Sequence, residues 1–390
     1  MKRIYLDYAA TTPVHPDVVK EILPYLTEHY GNPSSIYSIG QEAKEGIEIA
    51  RTRVAVLIGA KPEEIVFTGG GTEADNFALK GIAFSRETKG NHIITTAIEH
   101  HAVLETAKFL HSKGYKVTFL KVDKDGLVDP QDVKRALTSG SILVSIMHAN
   151  NEVGTIQPIT EISRITREAG VYFHTDAVQT VGHLPIDVKK LGVDMMSLSA
   201  HKLYGPKGVG ALYIKKGTRI TPLIHGGQQE HGRRASTENV PGIVGFGKAA
   251  EIALREVDTE ATRITLLRDK FIKGLMERIE NIQLNGHSIK RLPGNINISV
   301  EFVEGESLCL NLDLEGICSS TGSACSSSSA EPSHVLLALG VPPQLAHGSL
   351  RFTLGRWTTD DEIDQVIDSV SRIVGKLRAM SPLLKSKKGG

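Results

Sequence analysis

Short β-prone runs and helical runs take turns along the first half of the chain, and this alternation constrains the fold more than any other feature. A β-prone run at 65–67 precedes a helical pattern over 74–84, and another at 92–95 precedes a helical pattern over 103–110. Further β-prone runs at 117–120, 142–146 and 171–174 follow, with helical periodicity between the last two. Parallel strands need a crossover connection, usually a helix, so this order predicts a largely parallel sheet covered on both faces. Farther on, Ile264, Leu267, Phe271, Leu275 and Ile279 recur at spacings of three and four among charged residues, which predicts an amphipathic helix placed to connect two domains. The stretch 285–390 mixes β-prone residues near 295–300 with helical patterns over 333–339 and 360–376, as a smaller α+β domain would. Two stretches, 226–237 and 319–329, are too rich in Gly and Ser for helices and read as loops.

In open α/β sheets the ligand site lies beyond the carboxyl ends of the strands, so the residues that follow each run are the first candidates. After 65–67 comes Thr68-Gly69-Gly70-Gly71-Thr72-Glu73 and then a helix. Glycines let the backbone approach a ligand closely, and a helix N-terminus favours an anion, to which Thr72 adds a hydroxyl; the plainer reading is a flexible strand–helix turn. The glycines fit neither GxxxxGK[ST] nor GxGxxG. After 92–95 comes Glu99-His100-His101, readable as catalytic imidazole or as polar helix cap, and the absence of HExxH and CxxC speaks against structural zinc. After 142–146 come Asn150-Asn151-Glu152, either an Asx-turn or amides that orient a ring hydroxyl or a carboxylate. The run at 171–174 leads to Asp176-Ala177-Val178-Gln179, where a buried carboxylate must meet a cation or a strong donor unless it caps a helix. Ser199-Ala200-His201-Lys202 then sets a lysine on an apolar background, where desolvation lowers the amine's pKa and suits it to Schiff-base chemistry; alone, a solvated lysine is the simpler reading. Taken in order, an anion cradle, a strand-end acid and a desolvated lysine make a site for pyridoxal 5′-phosphate.

Three cysteines in 390 residues form no disulfide framework and point to a reducing, cytoplasmic setting. Cys309, in Leu308-Cys309-Leu310, reads as buried and structural, while Cys325, in Gly322-Ser323-Ala324-Cys325-Ser326, reads as an exposed, reactive thiol on a mobile loop. Downstream, Arg351 stands on a strand-like run, able to grip a carboxylate bidentately. With 45 Lys+Arg against 44 Asp+Glu there is no basic footprint for nucleic acid. No apolar run nears the roughly 20 residues that span a bilayer, so no membrane is expected as a partner.

The chain resembles the PLP-dependent cysteine desulfurases of the iron–sulfur-cluster and nitrogen-fixation type, in the class V aminotransferase family. The resemblance runs from Tyr5-Leu6-Asp7-Tyr8-Ala9-Ala10-Thr11-Thr12 to about Trp357, and its most specific pieces are Ser199-Ala200-His201-Lys202-Leu203-Tyr204-Gly205-Pro206-Lys207-Gly208 and Gly322-Ser323-Ala324-Cys325. It implies a fold type I PLP-dependent transferase: a large, mostly parallel-sheet α/β domain over 16–255, and a smaller α+β domain from 1–15 and 256–380 that carries the cysteine loop. The tail 381–390 is expected to fray. By the same resemblance Lys202 would link to the cofactor, Asp176 would pair with the ring nitrogen, Gln179 would contact the ring hydroxyl, and His100 would stack on the ring and move protons. Gly71, Thr72, Ser199 and His201 would hold the phosphate, joined by Thr237 from the other subunit of a homodimer. Asn151 and Arg351 would fix the carboxylate of L-cysteine, and Cys325 would accept its sulfur as a persulfide and pass it to an acceptor such as an iron–sulfur scaffold or a tRNA-thiolation protein. No intrinsic metal is implied beyond transient ligation of a partner-held cluster by Cys325. The rival readings are a selenocysteine lyase or aminotransferase on the same fold, and a catalytically silent scaffold.

Overall fold

A computed structural model describes residues 3–321 and 332–380 of the chain. In chain order its strands are β1 (Ile4–Tyr5), β2 (Ile65–Thr68), β3 (His92–Thr96), β4 (Lys116–Leu120), β5 (Ser141–Ser145), β6 (Tyr172–Asp176), β7 (Met195–Ser199), β8 (Gly210–Ile214), β9 (Ile282–Leu284), β10 (Asn295–Val300), β11 (Ile317–Cys318) and β12 (Ser349–Thr353). Seven of them form one sheet in the order β2-β8-β7-β6-β5-β3-β4. Neighbours from β7 to β4 run parallel, whereas β8 lies antiparallel to both β2 and β7. The reversal follows from chain length: only residues 200–209 join β7 to β8, enough for an antiparallel return but too few for a parallel crossover. Reversal on both sides of β8 points β2 the same way as the parallel set, so six carboxyl ends share one edge of the sheet.

Period-two alternation divides these strands between two cores. Ile65, Phe67, Ile94, Val144, Phe173, Met196, Leu198, Ala211 and Tyr213 pack with helices Ser38–Leu57, Ile159–Glu168 and the start of Val240–Arg278. Val66, Ile93, Leu143, Met195, Leu212 and Ile214 face the other way, against helices Gly71–Arg86 and His101–Ser112. Burial on both faces explains why the central strands read as unbroken apolar runs, while the edge strand β4 is largely half-buried or exposed.

The predicted helix around 264–279 is the second half of one 39-residue helix, Val240–Arg278. Its first half packs in the large core through Val244, Phe246 and Ala250. Its second half enters a separate core through Leu267, Phe271 and Leu275, together with β10, β12 and Ile4 and Leu6 of the N-terminal segment. Glycine density hides the first half from a periodicity reading: a Cβ on Gly247 would come within 2.5 Å of Ala50 Cα, so that glycine admits helix Ser38–Leu57 at close range. β9, β10 and β12 form a three-stranded antiparallel sheet, and β1 pairs in parallel with β11. The C-terminal helix Asp360–Met380 starts on a reciprocal cap in which Thr359 and Glu362 each accept the other's backbone N–H, at 3.1 and 3.3 Å. Among the described residues no helix is long and apolar enough to cross a membrane.

Candidate active site

The chain leaves β2 through Gly69 and Gly70 into helix Gly71–Arg86. Gly70 holds φ 153° and ψ −179°, a region essentially closed to residues with a Cβ. This turn lines a cleft with Thr11, Thr72, Ser199, His201 and Lys207. Glu73 braces the cleft: it accepts the Gly69 N–H at 2.7 Å and pairs with Arg234 at 2.8 Å. Gly71, Thr72, Ser199 and His201 are thus brought together, with the Thr72 side chain on the open side and Ser199 buried.

Lys202 lies just past β7, at the same edge of the sheet. Its Nζ donates to the carbonyls of Ala9 and Ala10 at 2.5 and 2.7 Å, and Gln179 Nε2 donates to the Ala9 carbonyl at 3.1 Å. The N-terminal segment is held beside Lys202 by Thr12 N–H to the His201 carbonyl and His15 N–H to the Tyr204 carbonyl. Asp176 ends β6 and is buried, its carboxyl accepting the Val178 N–H at 2.9 Å. Burial pushes its carboxyl up to about 6, opposed by that N–H and by the Lys202 charge.

His100 caps helix His101–Ser112, its Nδ1 accepting the Ala102 N–H at 3.1 Å, which leaves the ring proton on Nε2. Burial, then the nearby Lys202 charge, lowers its pKa to about 4, so it is neutral at pH 7. His201, bonded through Nδ1 to the Thr11 hydroxyl at 3.1 Å, is lowered to about 4, chiefly by burial.

Arg351 on β12 is buried. Nη2 pairs with Asp7 at 2.9 Å, Nη1 donates to the Asn151 carbonyl at 3.1 Å, and Nε is buried without an acceptor among the described residues. The structure thus joins Asn151 to Arg351 through the Asn151 backbone, and adds Asp7, which sequence reading passed over. Thr237 is exposed and stands outside the cleft lining. Its loop, 226–237, contains a kinked four-residue turn, Gln229–Gly232, with left-handed Glu230 and His231. Glu230 is buried in a bidentate pair with Arg51, both contacts 2.8 Å, and accepts the Phe67 N–H. No local pattern announced that pair, since its members lie 179 residues apart. Cys309, read as buried, is half-buried, and burial raises its thiol to about 11. Cys325 and the tail 381–390 lie outside the described residues.

Glu99, beside His100, is fully buried, accepting from the Thr96 hydroxyl at 2.6 Å and from the Met147 N–H at 3.1 Å. Burial raises its pKa from 4.5 to about 8. The folded protein thus binds this proton more tightly than the unfolded chain, and the stability it contributes is full below pH 4.5 and lost as pH rises toward 8. Glu99→Gln removes the titration, so in denaturant unfolding the variant's stability relative to wild type should climb between pH 5 and 8 and level off above. A constant difference across that range would mean that Glu99 stays ionised in the fold.

The sheet edge, the glycine cradle and the lysine agree with a wider grouping: residues 4–366 match the Aminotransferase class-V family, and the chain belongs to it. The chain is 59% identical to the cysteine desulfurase IscS of Dictyoglomus turgidum, covering 98% of this chain and 97% of that one. A solved NifS-like protein superposes with a TM-score of 0.91 at 42% identity, over 96% of this chain and all of the other. Another, SspA in complex with cysteine, gives 0.82 at 38% identity, over 92% and 100%. Within the class-V family, this chain's place is among the cysteine desulfurases.

Proposed function

We propose that this cysteine desulfurase works with pyridoxal 5′-phosphate held at the carboxyl edge of the seven-stranded sheet, converting L-cysteine to L-alanine and passing the sulfur to Cys325. The observation that carries the reading is that one sheet edge gathers an amine, a buried carboxyl at the end of β6, and a glycine-rich helix N-terminus beside Ser199 and His201. These residues fit the cofactor: free N–H groups for a phosphate, an acid for a ring nitrogen, and a lysine for an aldehyde. When bound, the cofactor supplies a protonated ring that withdraws electrons from the substrate's α-carbon.

In this reading the chain's own groups divide the work. Lys202 forms the link to the aldehyde and, once displaced by substrate, takes the α-proton on Nζ. Asp176 holds the ring-nitrogen proton, and Gln179 and His100 fix the ring. Asn151 and Arg351 bind the substrate carboxylate. The Cys325 thiolate attacks the substrate sulfur; an S–S bond forms, the C–S bond breaks with its electron pair going to carbon, and protonation there gives alanine. The Cys325 persulfide then passes to an acceptor protein such as an iron–sulfur scaffold, in the cytoplasm.

Residues 16–255 serve in this reading as the cofactor-binding domain, with 1–15 and 256–380 as the smaller one. The protein acts as a homodimer, supported by exposed Leu23, Leu26, Tyr30, Ile36 and Tyr37, with Ile36 94% exposed. Thr237, exposed in one chain, then reaches the partner's phosphate.

Cofactor-loaded protein given L-cysteine and a thiol reductant should release alanine and sulfide in equal amounts. An aminotransferase would give 3-mercaptopyruvate and no alanine, and a selenocysteine lyase would turn over selenocysteine but not cysteine. A protein that takes up no cofactor would be a scaffold.

A further inference from the structure

Beneath Asp176 the sheet buries a row of polar side chains that the reaction does not use. His174 lies two residues before Asp176 on β6, on the same face of the strand. Its Nδ1 meets the Ser145 hydroxyl of β5, and its Nε2 the Ser197 hydroxyl of β7, each at 2.9 Å. Above them stands Asp75, the fifth residue of helix Gly71–Arg86 and past the first turn, where the helix dipole acts most strongly. Asp75 and His174 are both buried, and Asp75 Oδ1 lies 3.7 Å from His174 Nε2, beyond hydrogen-bond reach. That oxygen has no hydrogen-bond partner among the described residues.

A carboxylate in such a place is hard to sustain. Ionised, it offers about four lone-pair sites that want donors, and a buried anion without them is strongly disfavoured. Among the described residues the donor recorded against Asp75 is the Ser197 hydroxyl, which also meets His174. The groups set against it bring no positive charge: His174 and Asp176 from β6, Ser197 from β7, and Glu99 from beyond β3. Asp176, by contrast, accepts the Val178 N–H, and its ionised form is favoured by the charge of Lys202. Two buried carboxyls that oppose each other's ionisation hold one negative charge, and the better-provided partner keeps it.

We infer that Asp75 is a neutral carboxylic acid at physiological pH, a positioning residue whose retained proton confines the charge of the buried pair to Asp176. The directions of the shifts agree: burial and then the Asp176 charge push Asp75 well above the usual carboxylate range, and burial drives His174 down to about 3, so it brings no countercharge. The inference rests on the reading of Asp176 as the partner of the ring nitrogen. Were Asp75 ionised instead, Asp176 would be driven toward its protonated form and the ring would lose its fixed anion.

Wild-type apoprotein labelled with 13C in its aspartate carboxyls should show, at pH 8, the infrared carbonyl band of a protonated acid, missing from Asp75→Asn. In the cofactor-loaded variant the pH midpoint of the visible band should move by less than about 0.3 unit, because an amide replaces a neutral acid. An ionised Asp75 would give no such band, and its loss would lower that midpoint by about one unit or more, since removing a nearby anion lowers the pKa of a cationic group; either result overturns the inference. The infrared measurement on wild type decides the matter even if the variant folds poorly. Asp176→Asn separates the two levels of argument. If it leaves the visible band and its pH profile untouched, the reading of Asp176 fails. If it disturbs them while wild type lacks the protonated band, only the assignment of Asp75 fails.

Discussion

Lys202→Ala is expected to abolish covalent capture of the cofactor: after borohydride treatment no pyridoxal group should remain fixed to the chain, and cysteine turnover should fall by about 10³-fold or more. The size of the effect follows from two roles meeting at one atom. Nζ is the proposed amine of the cofactor link and also the base for the α-proton, so one truncation removes both. The fold should survive, because the N-terminal segment that receives Nζ is also tied down by backbone hydrogen bonds from Thr12 to His201 and from His15 to Tyr204. Lys202→Arg is the informative companion. It keeps a cation beside Asp176 but supplies no amine able to condense, so it should be as inactive as alanine. Borohydride fixation persisting in both variants would identify a different lysine and remove the assignment.

Much of this site is legible in sequence because it obeys a local rule. Strands buried on both faces read as unbroken apolar runs, and the candidate residues follow where each run ends: Gly69 to Thr72 after β2, His100 after β3, Asn151 after β5, Asp176 at the end of β6. What escapes is what depends on partners far along the chain. Asp7 is unremarkable until the fold sets it against Arg351, 344 residues away, and Glu230 until it meets Arg51. Asp75 reads as one more polar residue in a helix, and only the sheet beneath shows that its carboxyl is buried against His174. The first half of helix Val240–Arg278 escapes because Gly242, Gly245 and Gly247 break the apolar period there. Gly245 and Gly247 serve close packing against neighbouring elements, Ile22 and Ala50 respectively, while Gly242 lies against the Asn239 side chain that caps this same helix. The place near 255 where sequence reading divides the chain falls inside that unbroken helix, at the point where it passes from one core to the other.

Cys325→Ala should separate cofactor chemistry from sulfur transfer. The variant should load cofactor with an unchanged visible band and bind L-cysteine, yet form alanine and sulfide slower by about three orders of magnitude, the scale expected when a nucleophile is removed and binding is left intact. The described residues on either side give a geometric reason to choose this thiol. Ser320 exchanges backbone hydrogen bonds with Arg351, at 2.6 and 3.1 Å, and the Ser333 hydroxyl donates to buried Glu152, next to Asn151. The chain thus departs from and returns to the neighbourhood of the proposed carboxylate grip. Neither other cysteine is as well suited: burial holds both the Cys309 and Cys318 thiols above the normal range, which lowers their thiolate fraction at pH 7. If Cys325→Ala released alanine and sulfide at the wild-type rate, no thiol of this segment would take part in C–S cleavage. The sulfur would then leave the site as free sulfide, and protein-to-protein transfer would lose its first carrier.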